Sequence, residues 1–117
     1  MNTKGRQAEA MALQLLQKSQ LKLLTANYSC RFGEIDLIML DQSTLVFIEV
    51  RARSSLKFGG AAASVDRKKQ QKIITTARHF LLCNSKYKLA TCRFDVVALE
   101  TSSAESAPVW YKDAFRL

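Results

Sequence analysis

Cysteine is scarce in this 117-residue chain and badly spaced for structural use. Cys30, Cys83 and Cys92 make an odd count without a C-x-x-C pair, which excludes a disulfide framework and a zinc knuckle. Reduced thiols point to the cytoplasm. No apolar stretch approaches the roughly 20 residues that cross a bilayer, so no membrane span is expected. The first ten residues contain no apolar run of the kind a signal peptide needs. Glycine offers only the Gly59-Gly60 doublet, which is no phosphate-binding fingerprint. Histidine occurs once, as His79, and a single histidine on a basic helix is expected to be partly exposed and non-catalytic. Neither a repeat nor a linker divides the chain, so residues 1–117 are expected to form one domain.

What remains is ordinary globular material with an unusual charge. Hydrophobic residues make up 48% and charged residues 24%, which argues against a disordered chain. Against 10 acids stand 18 Lys and Arg, a net charge of +8. Such an excess favours a polyanionic partner, with a basic protein that binds none as the bland alternative.

The pattern predicts α-β-β-β-α-β order, with a terminal strand or tail. Ala8, Met11, Ala12, Leu15 and Leu16 form one stripe of a helix from Thr3 to Lys18. Leu21 to Tyr28 reads as a strand. Ile35 to Leu40 and Thr44 to Arg53 read as a hairpin across Asp41-Gln42-Ser43. Ser54 to Ala63 is a loop, with Ser64 as helix N-cap and Asp66 at the positive end of the dipole. The second helix runs to about Cys83 and is expected to bury Ile73, Ala77, Phe80 and Leu81, with Ile74 marginal. Ala90 to Leu99 is a further strand, 101–108 the expected mobile segment, and Val109-Trp110-Tyr111 a short strand or tail in which Trp110 packs on the body.

Chemistry enters where acids interrupt buried strands. Asp36 sits in Gly33-Glu34-Ile35-Asp36-Leu37-Ile38, and Glu49 in Phe47-Ile48-Glu49-Val50-Arg51. Buried carboxylates require a partner or a metal. Strand alternation places Leu45, Phe47, Glu49, Arg51 and Arg53 on one face and Val46, Ile48 and Val50 on the other. Two carboxylates on adjacent strands suit Mg²⁺ or Mn²⁺, which takes few protein ligands and leaves room for phosphate. With a basic chain, phosphodiester hydrolysis is the leading chemistry. Glu9 either looks inward toward these acids or is a solvated flank residue. Lys69 leans toward the buried side of its helix, with Arg67, Lys68 and Lys72 beside it to track a nucleic-acid backbone or simply form a solvated face.

Taken together, these residues resemble the YraN-type family of bacterial proteins, regarded as candidate endonucleases. The resemblance rests on Lys4-Gly5 with Glu9, on Gly33 through Ile38, on Val46-Phe47-Ile48-Glu49-Val50-Arg51 with Arg53, on Phe58-Gly59, on Lys69 with Ile73 and Ala77, and on Arg93-Phe94-Asp95-Val96-Val97. It implies a restriction-endonuclease-like α/β fold shared with Holliday-junction resolvases. It also implies a PD-(D/E)xK-like site acting on DNA, including branched or structured DNA. By that likeness Glu9, Asp36 and Glu49 are the acids, Asp36 and Glu49 the metal ligands, Arg51 stands where lysine is usual, and Lys69 contacts phosphate. Resolvases with this fold commonly pair, so the likeness extends to a homodimer.

Other readings stand beside this one. Glu49 and Arg51 form a same-face ion pair in the bland reading. Asp95 is expected to be structural, pairing with Arg93, rather than a third ligand, and Glu34 is either an assistant or a rim residue. A guanidinium does not lose its proton as a lysine ammonium can, so a catalytically degenerate nucleic-acid-binding protein is the alternative function. A basic helix docking an acidic protein surface is a third.

Overall fold

The computed structural model describes residues 3–53, 65–100 and 107–116. Helix α1 (Thr3–Lys18) precedes three strands, β1 (Lys22–Cys30), β2 (Gly33–Asp41) and β3 (Thr44–Arg53). Helix α2 (Arg67–Cys83), a 3₁₀ turn (Ser85–Tyr87), β4 (Cys92–Glu100) and β5 (Val109–Phe115) follow among the described residues. The strands lie in sequence order as one five-stranded sheet. β3 and β4 pair in parallel and the other neighbours antiparallel. A parallel pair needs a crossover, and α2 lies within it. The class is α/β, a mixed sheet flanked by helices, as the pattern predicts.

The two faces of the sheet are covered separately. Ala8, Ala12 and Leu16 of α1 bury against Leu37, Met39, Val46, Ile48, Val97 and Leu99. On the opposite face α2 contributes Ile73, Ile74, Ala77 and Phe80 to a cluster with Ile35, Ile38, Leu45, Phe47, Phe94 and Phe115. Met11 is 42% exposed, so the α1 stripe is narrower than expected. The line i, i+4, i+8 lies nearest the sheet, and its two alanines let the helix come close, leaving Met11 on the flank. On α2, Ile74 is fully buried while Leu81 is only partly so, which reverses their expected weights, and Thr76 is buried as well.

Local signals set the helix ends. The backbone NH of Leu21 donates to the Leu16 carbonyl at 3.1 Å and that of Gln20 to Gln17 at 3.0 Å. Gln20 has φ 73. These are the paired bonds of a Schellman ending, completed by burial of Leu16 with Leu21. Asp66, not Ser64, caps α2: its carboxylate accepts from the Lys69 NH at 2.8 Å. Ser64, Phe58-Gly59 and the Gly59-Gly60 turn lie outside the described residues, as does most of the expected mobile segment at 101–108.

β5 is longer than the short strand or tail expected, and Asp95 explains its attachment. Asp95 is fully buried. It accepts from Arg93 Nε at 2.9 Å and Nη2 at 3.1 Å, from Trp110 Nε1 at 2.9 Å and from the Asp113 NH at 2.9 Å. Arg93 also reaches Asp41 at 3.1 Å. With both oxygens occupied, Asp95 ties β5 to β4 and is the structural acid that the sequence pattern favours over a third ligand.

Candidate functional site

The site forms where β2 and β3 part. Their ladder ends at the Leu37–Ile48 pair. One residue further out, Asp36 Oδ2 accepts the backbone NH of Val50 at 2.8 Å, replacing the lost strand partner with a side chain. A hydrogen bond to a charged acceptor contributes about 1.5–3 kcal/mol and fixes the carboxylate's position. Regular alternation also breaks here. Ile35 and Ile38 share the α2-side cluster, while Leu37 and Met39 lie on the α1 side. Opposite Asp36 on β1, Asn27 takes a left-handed φ of 54, so both strands are irregular at this point.

Glu49 lies on the α2 side of β3, as alternation predicts, and is only 5% exposed. Its Oε2 is 3.3 Å from Arg51 Nη1 and 3.6 Å from Lys69 Nζ. Two cations would ordinarily hold a carboxyl low. Here burial, and then the neighbouring Asp36 carboxyl, outweigh them and push Glu49 from 4.5 up to about 7. Both ion pairs are long, and both cations reach partly into solvent, so neither compensates for desolvation.

Glu9 approaches Asp36 from α1. Its carboxyl is also raised, first by burial, then by the charges of Asp36 and Glu34, while a hydrogen bond with Asn27 partly offsets these. Glu9 is half-buried and within range of the Asp36 charge, and it is not among the residues lining the cleft over Glu49. Asp36 thus acts on both Glu9 and Glu49, and Glu34, exposed at the rim, acts on Glu9.

An open cleft of about 520 Å³ covers this point, and Glu34, Asp36, Glu49, Lys69 and Lys72 line it. Its remaining wall is the β1–β2 turn, including Arg31 and Phe32. Gly33 brings that turn against α2. It has φ 149, and a Cβ there would stand 3.1 Å from Thr76 Oγ1, so a side chain would both strain the backbone and push the turn outward.

The basic residues divide. Lys69 and Lys72 face the cleft. Arg67 and Lys68 are exposed on the first turn of α2 and do not line it. The side chain of Arg53 lies outside the described residues. His79 is half-buried and accepts or donates a 2.6 Å hydrogen bond with the Tyr28 hydroxyl, away from the acids. A second cleft, of about 540 Å³, lies at the other end of the sheet near Thr44, Phe94 and Arg116. Arg93, in its wall, is committed to Asp95 and Asp41, whereas the adjoining acids Asp36 and Glu49 line the first cleft.

The donor set suits a hard divalent cation of the Mg²⁺ type. Among the described residues no group of three or more His, Cys, Asp or Glu side chains forms a ready cage. A cation of this kind does not need one, since one or two carboxylates with water and substrate phosphate suffice. Asp36 and Glu49 meet that requirement, and their mutual repulsion is what such a cation relieves. Among the described residues no helix is long and apolar enough to cross a membrane.

Sequence reasoning missed Asn27, Arg31 and Phe32. The glycine directly after Arg31-Phe32 was the available signal for a tight turn, but nothing in its periodicity tied the turn to the acids.

Comparison with known proteins agrees with the resemblance. A protein-family match described as "Uncharacterised protein family UPF0102" covers residues 8–99. A "UPF0102 protein" of Psychromonas ingrahamii is 51% identical over 98% of this chain and 91% of its own length. One from Saccharophagus degradans is 53% identical over 99% of this chain and 95% of its own. Another from Pseudomonas syringae is 48% identical over 95% and 91%. The matched span holds α1 from Ala8, both strands that carry Asp36 and Glu49, and α2 with Lys69. The chain belongs to the UPF0102 family.

Proposed function

We propose that this protein is a divalent-metal-dependent endonuclease that hydrolyses phosphodiester bonds in DNA, including branched or structured DNA. The observation that carries the reading is the buried Glu49 carboxyl held beside Asp36 in a cleft rimmed by Lys69 and Lys72. Paired acids so close are costly in an apoprotein and favourable around a cation. Asp36 and Glu49 are the ligands, and Mg²⁺ or Mn²⁺ bound there supplies charge neutralisation at phosphate and activation of water. Val50 holds Asp36 in its binding position through the backbone NH. Lys69 and Lys72 contact the flanking phosphates, Arg67 and Lys68 extend the basic track, and Arg53 is a further backbone contact by the family likeness alone.

Arg51 is the electrostatic member of the site. Its guanidinium stays charged at all working pH and does not serve as a base. It stabilises negative charge on the phosphoryl group, in geometry suited to two-point contact with oxygen. Glu9, tied to Asn27 on the α1 side, helps position Asp36 and water. The same Arg51 is the specific observation behind a second reading, a nucleic-acid-binding protein that has lost turnover.

A cleavage panel decides between them. Single-stranded, duplex, flap and four-way-junction DNA are incubated with Mn²⁺, Mg²⁺ or chelator, using wild type, Glu49→Ala, Asp36→Ala and Arg51→Lys. The nuclease reading expects metal-dependent cuts that both alanine variants lose. Salt-sensitive binding without cuts, with activity appearing in Arg51→Lys, supports the second reading. Full activity in the alanine variants rejects the site.

A further inference from the structure

Beyond the acids and the two lysines, the cleft has one further wall. This is the turn between β1 and β2. Phe32, at its tip, is 40% exposed although it is one of the larger apolar side chains. Its position is nonetheless built. The Arg31 guanidinium carbon lies 4.8 Å from the ring centroid, forming a layered cation–aromatic pair. His79 meets the Phe32 ring at 6.0 Å and 61°. His79 is itself held by the Tyr28 hydroxyl at 2.6 Å. Gly33 permits the close approach of the turn to Thr76 and Lys72 that puts this platform beside the acids.

We infer that the Arg31–Phe32 platform stacks on an unpaired nucleobase of the DNA strand whose phosphate enters the Asp36–Glu49 cleft. The inference rests on the nuclease reading and names its substrate class. A base within a duplex is already covered on both faces by its neighbours. A base in a single strand, flap or branch presents a bare face, which aromatic rings and guanidinium planes bind in preference to water. Stacking of this kind needs no base-specific hydrogen bonds. Lys69 and Lys72 lie on the same cleft and hold the backbone on either side, so the base is turned toward Phe32 while its phosphate faces the acids. Arg31 adds charge that a phosphate also uses. Phe32 adds none, so its contribution separates base stacking from attraction to backbone.

Binding measured by fluorescence anisotropy at one salt concentration, with chelator to prevent cleavage, tests this. The probes are a labelled blunt duplex and the same duplex carrying a single-stranded flap. Phe32→Leu keeps an apolar side chain against His79 but removes the aromatic face, and Phe32→Trp keeps the face. Phe32→Leu is expected to lose on the order of tenfold in affinity for the flap with no change on the blunt duplex, and Phe32→Trp to bind the flap as wild type does. Equal flap affinity in wild type and Phe32→Leu overturns the inference, as does an equal loss on both probes. Either result leaves nucleic-acid binding by the cleft intact. Wild type that binds neither probe at low salt removes the nuclease reading as well.

Discussion

Replacing Glu49 by Gln should stabilise the metal-free protein at neutral pH, although it removes a residue central to the site. Glu49 titrates near 7 in the folded protein against an ordinary 4.5. Between these values the folded chain keeps a proton that the unfolded chain has released. Stability therefore falls as pH rises through that window and stays low above it. At about 1.4 kcal/mol per unit the ionised carboxyl costs on the order of 3 kcal/mol by pH 7.5. Glutamine is nearly the same size, cannot ionise, and offers an amide to the Asp36 carboxylate. The assay is thermal unfolding from pH 5 to pH 7.5 in chelator. Wild type should lose stability across that range relative to Glu49→Gln, by roughly 10 °C in melting temperature at a few degrees per kcal/mol. Added Mn²⁺ should raise the wild-type value at pH 7.5 and leave the variant nearly unmoved. Parallel pH profiles for the two proteins would refute the claim that Asp36 and burial strain this carboxyl.

Three further outcomes follow from the same contacts. Gly33→Ala combines φ 149 with a Cβ 3.1 Å from Thr76 Oγ1, so urea unfolding should show a loss of about 1–3 kcal/mol. Asp95→Ala strips four hydrogen bonds from a fully buried acid and leaves Arg93 without its main partner, so the same measurement should show a loss of about 3–5 kcal/mol, with Trp110 fluorescence reporting detachment of β5. Lys72→Ala should weaken DNA binding uniformly across sequences and flatten the dependence on log salt by about one unit, read from anisotropy titrations at several salt concentrations.

Much of this site can be read from residue order, because strand alternation is local. Leu45, Phe47 and Glu49 fall on the α2 side, with Val46 and Ile48 opposite, as a period of two requires. The lean of Lys69 toward the core side of its helix likewise follows from its place one turn before Ile73, and it ends 3.6 Å from Glu49. Alternation fails where long-range contacts intervene. Nothing near Asp36 in the chain announces that its side chain will take the Val50 NH, or that Ile35 will join Ile38 on one face. The extra length of β5 depends on Asp95 bonding to Asp113 across 18 positions. Ser64 and Asp66 are both good caps, and only the geometry of the Lys69 NH distinguishes them. Phe32 carries no periodic signal at all, since an exposed aromatic in a turn acquires meaning only from the cleft beside it.

The central claim is that Asp36 and Glu49 together hold a divalent cation, and Mn²⁺ binding followed by electron paramagnetic resonance tests it without any choice of substrate. Wild type, Asp36→Asn and Glu49→Gln would be titrated at pH 7.5, with circular dichroism on each to establish folding. The account predicts a bound Mn²⁺ in wild type that both folded variants lose. Mn²⁺ bound equally by all three proteins, or by none, would contradict it.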